Sequence, residues 1–170
     1  MNQAQREAGQ FSIRPAGPED VGLVLQFIRE LAAYEKLEDQ VVADEATLSR
    51  EMFQKGRSRA LIAEYEGEPV GFALYFFNFS TFLGRGGLYL EDLYLRPQVR
   101  GKGFGERMFR HLAQVALQEG CGRMEWWCLD WNTPSQGFYR RMGAQPMEEW
   151  TVWRMTKEAL ERLAKEAESA

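Results

Sequence analysis

The run Arg100-Gly101-Lys102-Gly103-Phe104-Gly105 constrains this chain more than any other stretch. Before it comes LYLEDLYL, residues 88 to 95, a strongly β-prone segment closed by Pro97. After it, Met108, Phe109, Leu112, Val115 and Ala116 recur at helical spacing. A strand, a glycine turn and a helix in that order bring the unpartnered amides of a helix start beside backbone that lacks Cβ atoms. Those amides carry the positive end of the helix dipole, and Arg100 and Lys102 add charge. The loop therefore predicts an anion, most simply a phosphate or pyrophosphate. A tight turn that needs glycine φ angles is the plainer reading of the same residues.

Two known phosphate patterns fit poorly. No run has the Walker form G-x-x-x-x-G-K-[ST]. The spacing of Gly101, Gly103 and Gly105 is G-x-G-x-G, not the dinucleotide fingerprint G-x-G-x-x-G.

Around the loop the chain reads as mixed α/β. FSIRP (11–15) predicts a strand, Gly17-Pro18-Glu19-Asp20 a helix start, and Val21, Val24, Leu25, Ile28 and Leu31 a helix ending near Tyr34. Asp44 is placed to cap a second helix that buries Leu48 and Met52. Residues 60–65 and 70–77 form a hairpin around Glu66-Gly67-Glu68, and 78–87 read as a glycine-bearing loop. A strand over 123–129, a short helix after Asn132 closed by Gly143, a strand over 147–155 and an amphipathic helix over 157–168 complete the order. Residues 1–10 are polar and are expected to form a flexible tail, with a single domain over 11–170.

Composition narrows the partners. The 170 residues carry a formal charge of −4, which gives no support to a nucleic-acid partner. No apolar run nears the roughly 20 residues needed to span a bilayer, and the first ten residues lack the apolar core of a secretory signal, so a cytoplasmic protein is expected. Two cysteines, Cys121 and Cys128, and one histidine, His111, predict neither a disulfide framework nor a metal site.

Further motifs surround the loop: YLED at 89–92, RGKGFG at 100–105, and NTPSQGFYRRMGA at 132–144. With IRELAAYEKLEDQV and VGFALYFFNFSTFLG earlier in the chain, they resemble the GNAT acetyltransferase superfamily, and within it the spermidine/spermine (diamine and thialysine) N-acetyltransferase branch, over residues 11 to 163. The resemblance implies a mixed, twisted central sheet flanked by helices, with a splayed cleft for acetyl-CoA. Backbone groups of Leu93, Tyr94 and Leu95 would pair with the pantetheine amides, although ordinary strand burial explains those side chains equally well. Amides from Gly101 through Lys102, Gly103, Phe104 and Gly105 to Glu106 would hold the pyrophosphate beside Arg100, and Asn132, Thr133, Pro134 and Ser135 would touch the cofactor as well.

The same resemblance assigns Tyr139 as the acid that protonates the leaving thiolate, a step open to a phenol. It assigns Glu91 as the carboxylate that receives the substrate ammonium and its proton. Glu91 and Asp92 are neighbours in an apolar strand, so a regular strand turns one of them inward, whereas a bulge would turn both to polar partners. Tyr34, Glu35, Ser80, Glu125, Trp126 and Trp127 match substrate-contacting positions, and core packing is the alternative for the tryptophans. Polyamine enzymes of the branch carry an aspartate in place of Ser80, a tryptophan in place of Phe82 and a glutamate near Thr151. Fewer acids suit a shorter amine such as thialysine as well as a polyamine. Relatives resemble homodimers in which the C-terminal segment packs across the pair. A protein or peptide amine as acceptor, and a non-catalytic CoA-binding module, are the competing functions.

Overall fold

The computed structural model describes residues 10–168, so residues 1–9 of the expected tail and the last two residues of the expected domain lie outside the described residues. The chain divides into two compact units, with the boundary between Leu129 and Asp130.

The first unit is built on a five-stranded open sheet in sequential order. Strands β1 (Phe11–Pro15), β2 (Arg59–Tyr65), β3 (Glu68–Ser80) and β4 (Arg85–Leu95) are antiparallel neighbours, and β5 (Met124–Glu125) joins β4 in parallel. Helix α1 (Val21–Glu35) follows a 3-10 turn at Pro18–Asp20 and ends where Lys36 turns left-handed at φ 60°. The short α2 (Glu45–Ser49) is capped by Asp44, whose carboxylate accepts the Thr47 amide at 2.7 Å, and runs on as a π-turn over Arg50–Gln54. Helix α3 (Phe104–Gln118) follows the glycine loop.

Alternation along the strands sorts the core onto two faces. Ile62, Phe72 and Tyr94 are cross-strand partners and pack with Val24 and Phe27 of α1 and with Met52. On the other face the Phe11 and Tyr65 pair meets Phe104, with the Phe11 and Phe104 rings stacked at 4.1 Å. Arg96 fixes α1 to the end of β4: two of its nitrogens donate to the Glu30 carboxylate and a third to the Pro69 carbonyl, with the guanidinium over the Phe27 ring.

Three sequence expectations change here. Residues 78–87 are not one loop, because β3 runs to Ser80, β4 starts at Arg85, and only 81–84 turn. Gly86 and Gly87 lie within β4, and a Cβ on Gly87 would meet the Asn78 amide oxygen, so close packing explains this glycine better than turn geometry. The strand expected over 123–129 pairs only at Met124–Glu125.

The second unit holds α4 (Thr133–Arg141) and α5 (Lys157–Glu168). The strand expected over 147–155 does not form. Trp150 and Trp153 are exposed there.

Candidate active site

The glycine loop has the geometry its sequence predicts. Gly101 and Gly103 adopt φ of 77° and 80°, and a Cβ at either would meet nothing within 4 Å, so the backbone stands open. The first helical bond runs from the Arg107 amide to the Gly103 carbonyl, which leaves the amides of Phe104, Gly105 and Glu106 without a helical acceptor. Arg100, Gly101, Lys102 and Gly103 are exposed. An open cradle of amides flanked by two cations fits a pyrophosphate. Lys102 lies over the Tyr65 ring at 5.5 Å. Arg100 lies over the Tyr34 ring at 4.8 Å and donates from Nε to the Leu95 carbonyl at 2.9 Å, which ties the loop to the end of α1.

The sheet opens beside this loop. β5 pairs with β4 only through Leu88↔Met124 and Tyr89↔Glu125, whereas β4 runs on to Leu95. Leu93, Tyr94 and Leu95 are bound to β3 on one side, opposite Ala73, Phe72 and Gly71, and no strand among the described residues pairs with them on the other. A bare backbone edge of this kind accepts an extended ligand as an added strand.

The two neighbouring acids are sorted by a β-bulge. Leu74 stands opposite Asp92 and Tyr75 opposite Leu90, so Glu91 is the extra residue of β4. The bulge leaves Glu91 exposed and turns Asp92 toward the α1 face, alongside Leu74. Burial, and then the Glu91 and Glu35 carboxylates, push Asp92 up to about 7. Burial also raises Glu35. These acids draw together two of the expected substrate positions, Glu35 and Glu91, but among the described residues no His, Cys, Asp or Glu group could hold a metal.

A second cluster centres on Tyr89, a residue the motif reading did not single out. It pairs in register with Glu125 and meets the Trp127 ring edge-on at 6.1 Å. Burial, then the charges of Glu91 and Glu125, push its phenol up to about 12. Glu125 is already ion-paired with Arg123 at 2.9 Å. Trp127 is exposed, whereas Trp126 packs edge-on against Phe109 of α3. Ser80 is buried, and its hydroxyl accepts the Leu83 amide at 3.2 Å, closing the β3–β4 turn. The signal that could have marked Asp92 and Tyr89 is the alternation of YLED itself, since only the register of β3 decides which acid turns inward.

In the second unit Asn132 is buried and caps α4, its side chain accepting the Ser135 amide at 3.4 Å, with Thr133 and Pro134 exposed in the first turn. Proline at the helix start loses no bond there. Tyr139 lies on α4 with its ring against Phe138 at 5.6 Å, and its carbonyl accepts the amides of Met142 and Ala144 at the helix end.

An open mixed sheet with a bare strand edge beside a glycine loop that opens a helix can hold an extended ligand carrying an anionic group. A profile of the Acetyltransferase (GNAT) family matches residues 26–144, and the chain belongs to that family of acetyltransferases. It is 41% identical to a thialysine N-epsilon-acetyltransferase of Bos taurus, over 89% of this chain and 96% of that one. It is 29% identical to an L-ornithine N5-acetyltransferase of Arabidopsis thaliana, over 90% of this chain and 87% of the other. Among solved structures, an integron cassette protein from the mobile metagenome of V. cholerae superposes with a TM-score of 0.76 at 27% identity, covering 92% of this chain and 98% of that one.

Proposed function

We propose that this chain transfers an acetyl group from acetyl-CoA to the primary amine of a small substrate, by direct attack in a ternary complex. The observation that carries the reading is the bare edge of β4, which runs from the acids Glu91 and Asp92 to the glycine loop. Acetyl-CoA, when bound, supplies an activated acetyl thioester. The amides from Gly101 to Glu106 hold its pyrophosphate, Leu93, Tyr94 and Leu95 offer backbone partners to its pantetheine arm, and Asn132 to Ser135 form a further contact. Tyr139 donates its phenolic proton to the departing sulfur.

Glu91, exposed at the bulge, and Glu35 attract the ammonium. Direct transfer is favoured over a cysteine-bound acyl group, since burial pushes the Cys121 thiol up and so disfavours the nucleophilic thiolate. An amine of lysine-analogue type, such as thialysine, fits better than a long polyamine. Ser80 brings no charge where polyamine enzymes place an acid, Glu125 is neutralised by Arg123, and the relatives named above act on thialysine and ornithine.

The acting protein is a cytoplasmic homodimer of a single acetyltransferase domain over 11–170. Exposed Trp150, Val152, Trp153, Leu160 and Leu163 support such pairing. Free-thiol release from acetyl-CoA, measured with thialysine, lysine, ornithine, spermidine and a lysine peptide, tests the reading. Turnover on the small amines is expected, and CoA binding without turnover on any of them would exclude it. Light scattering would return a monomer mass if the dimer is wrong.

A further inference from the structure

We infer that Asp92, and not Glu91 alone, takes the proton from the bound substrate ammonium, an inference that rests on the amine-acetylation reading above. Most other partly buried acids of the first unit have a cation or amide to answer them. Asp20 meets Arg14, Glu30 meets Arg96, Glu64 meets Arg14, and Glu125 meets Arg123. Asp92 has neither a hydrogen bond nor an ion pair among the described residues, although it sits opposite the core residue Leu74. A half-buried carboxylate that the protein leaves unanswered has lost part of its hydration without a compensating partner. An arriving ammonium supplies the missing partner.

The charged groups that face it reinforce this. On its own strand stands Glu91, and from α1 comes Glu35, both negative, while β3 presents the apolar Leu74. Arg100, the cation at the same end of β4, is held over the rings of Tyr34 and Tyr94 instead. Burial, and then like charges, raise the proton affinity of Asp92 to about 7, midway between an ordinary carboxyl and an alkylammonium near ~10. An acceptor of that strength removes a proton from an ammonium far more readily than an ordinary carboxylate does.

In the step itself one N–H bond breaks and one O–H bond forms on Asp92. The electron pair stays on nitrogen and leaves a neutral amine. The proton then passes to solvent from the half-buried Asp92, and the neighbouring Glu91 charge tunes the acceptor.

The test compares wild type, Asp92→Asn and Glu91→Gln by the pH profile of kcat/KM, with acetyl-CoA and thialysine as substrates, together with CoA affinity. In parallel, 13C NMR follows the Asp92 carboxyl of the free wild-type protein. Wild type should show an acid limb near pH 7 and a carboxyl titrating at the same pH. Asp92→Asn should lower kcat/KM by on the order of 10²-fold and remove the limb, with CoA affinity kept. Glu91→Gln should move the limb to lower pH, because losing a like charge eases ionisation of Asp92. An Asp92→Asn protein that keeps the limb, or a carboxyl titrating near ~4, overturns the assignment. The NMR readout stands even if the variant fails to fold. Wild-type protein that binds CoA but acetylates no amine is a separate outcome, which removes the functional reading and this role with it.

Discussion

Asp92 stands directly across the sheet from Leu74, a carboxyl set against a core side chain. Burial there makes the contribution of Asp92 to stability fall as pH rises. The folded state holds the Asp92 proton up to about 7, whereas the unfolded chain releases it near ~4, so the native state binds more protons across that window and weakens through it. Asp92→Asn carries no charge at any pH. It should match wild type near pH 4 and exceed it at pH 8 by on the order of 1–4 kcal/mol in urea unfolding. The same variant is expected to be the poorer enzyme, so stability and turnover should move in opposite directions.

Gly103 adopts φ 80° at the start of α3. Gly103→Val forces a β-branched residue into the left-handed region, at about 1–2 kcal/mol, and sets a side chain where the pyrophosphate approaches. CoA affinity should fall by roughly tenfold to a hundredfold in calorimetric titration, the equivalent of one lost charge-assisted hydrogen bond. Unchanged affinity would remove the loop from the cofactor site.

Tyr139→Phe keeps the ring against Phe138 and deletes only the hydroxyl. Turnover should drop by about 10²- to 10⁴-fold, the usual range for a proton-transfer group, with the CoA dissociation constant unaltered. A variant with wild-type kcat would exclude the phenol as the acid.

Arg96 grips Glu30 with two nitrogens and holds that carboxyl below the ordinary range. Arg96→Met keeps an apolar stem over Phe27 but leaves Glu30 unanswered, and should cost about 1.5–3 kcal/mol at pH 7. Because Glu30 is depressed in the fold, the gap between variant and wild type should close as pH falls below ~4. The amine KM should rise too, since Glu30 lies on the helix that carries Tyr34 and Glu35.

Local chemistry was readable wherever a residue type answers a local backbone demand. Asp44 caps α2, and Gly101 and Gly103 turn left-handed, as their sequence contexts require. Reading failed where partners are distant. The glycines at 84, 86 and 87 suggested one loop, yet 86 and 87 lie within β4, and Gly87 serves a packing that only Asn78 and Arg123, met across the sheet, reveal. MEEWTVWRM alternates like a strand but forms none. YLED announced an inward-facing acid, and which one turns inward was settled by a one-residue register shift against β3.

From Leu90 to Leu95, no strand among the described residues pairs with β4 on the side away from β3. Amides and carbonyls are common property of nearly all residues, so substitution within this run leaves its donors and acceptors in place. Mutational drift can therefore erase most of a lineage's letters without touching this surface, in keeping with a TM-score of 0.76 at only 27% identity. The exception is proline, which lacks an N–H to give. The chain places one two residues past the end of that run, at Pro97.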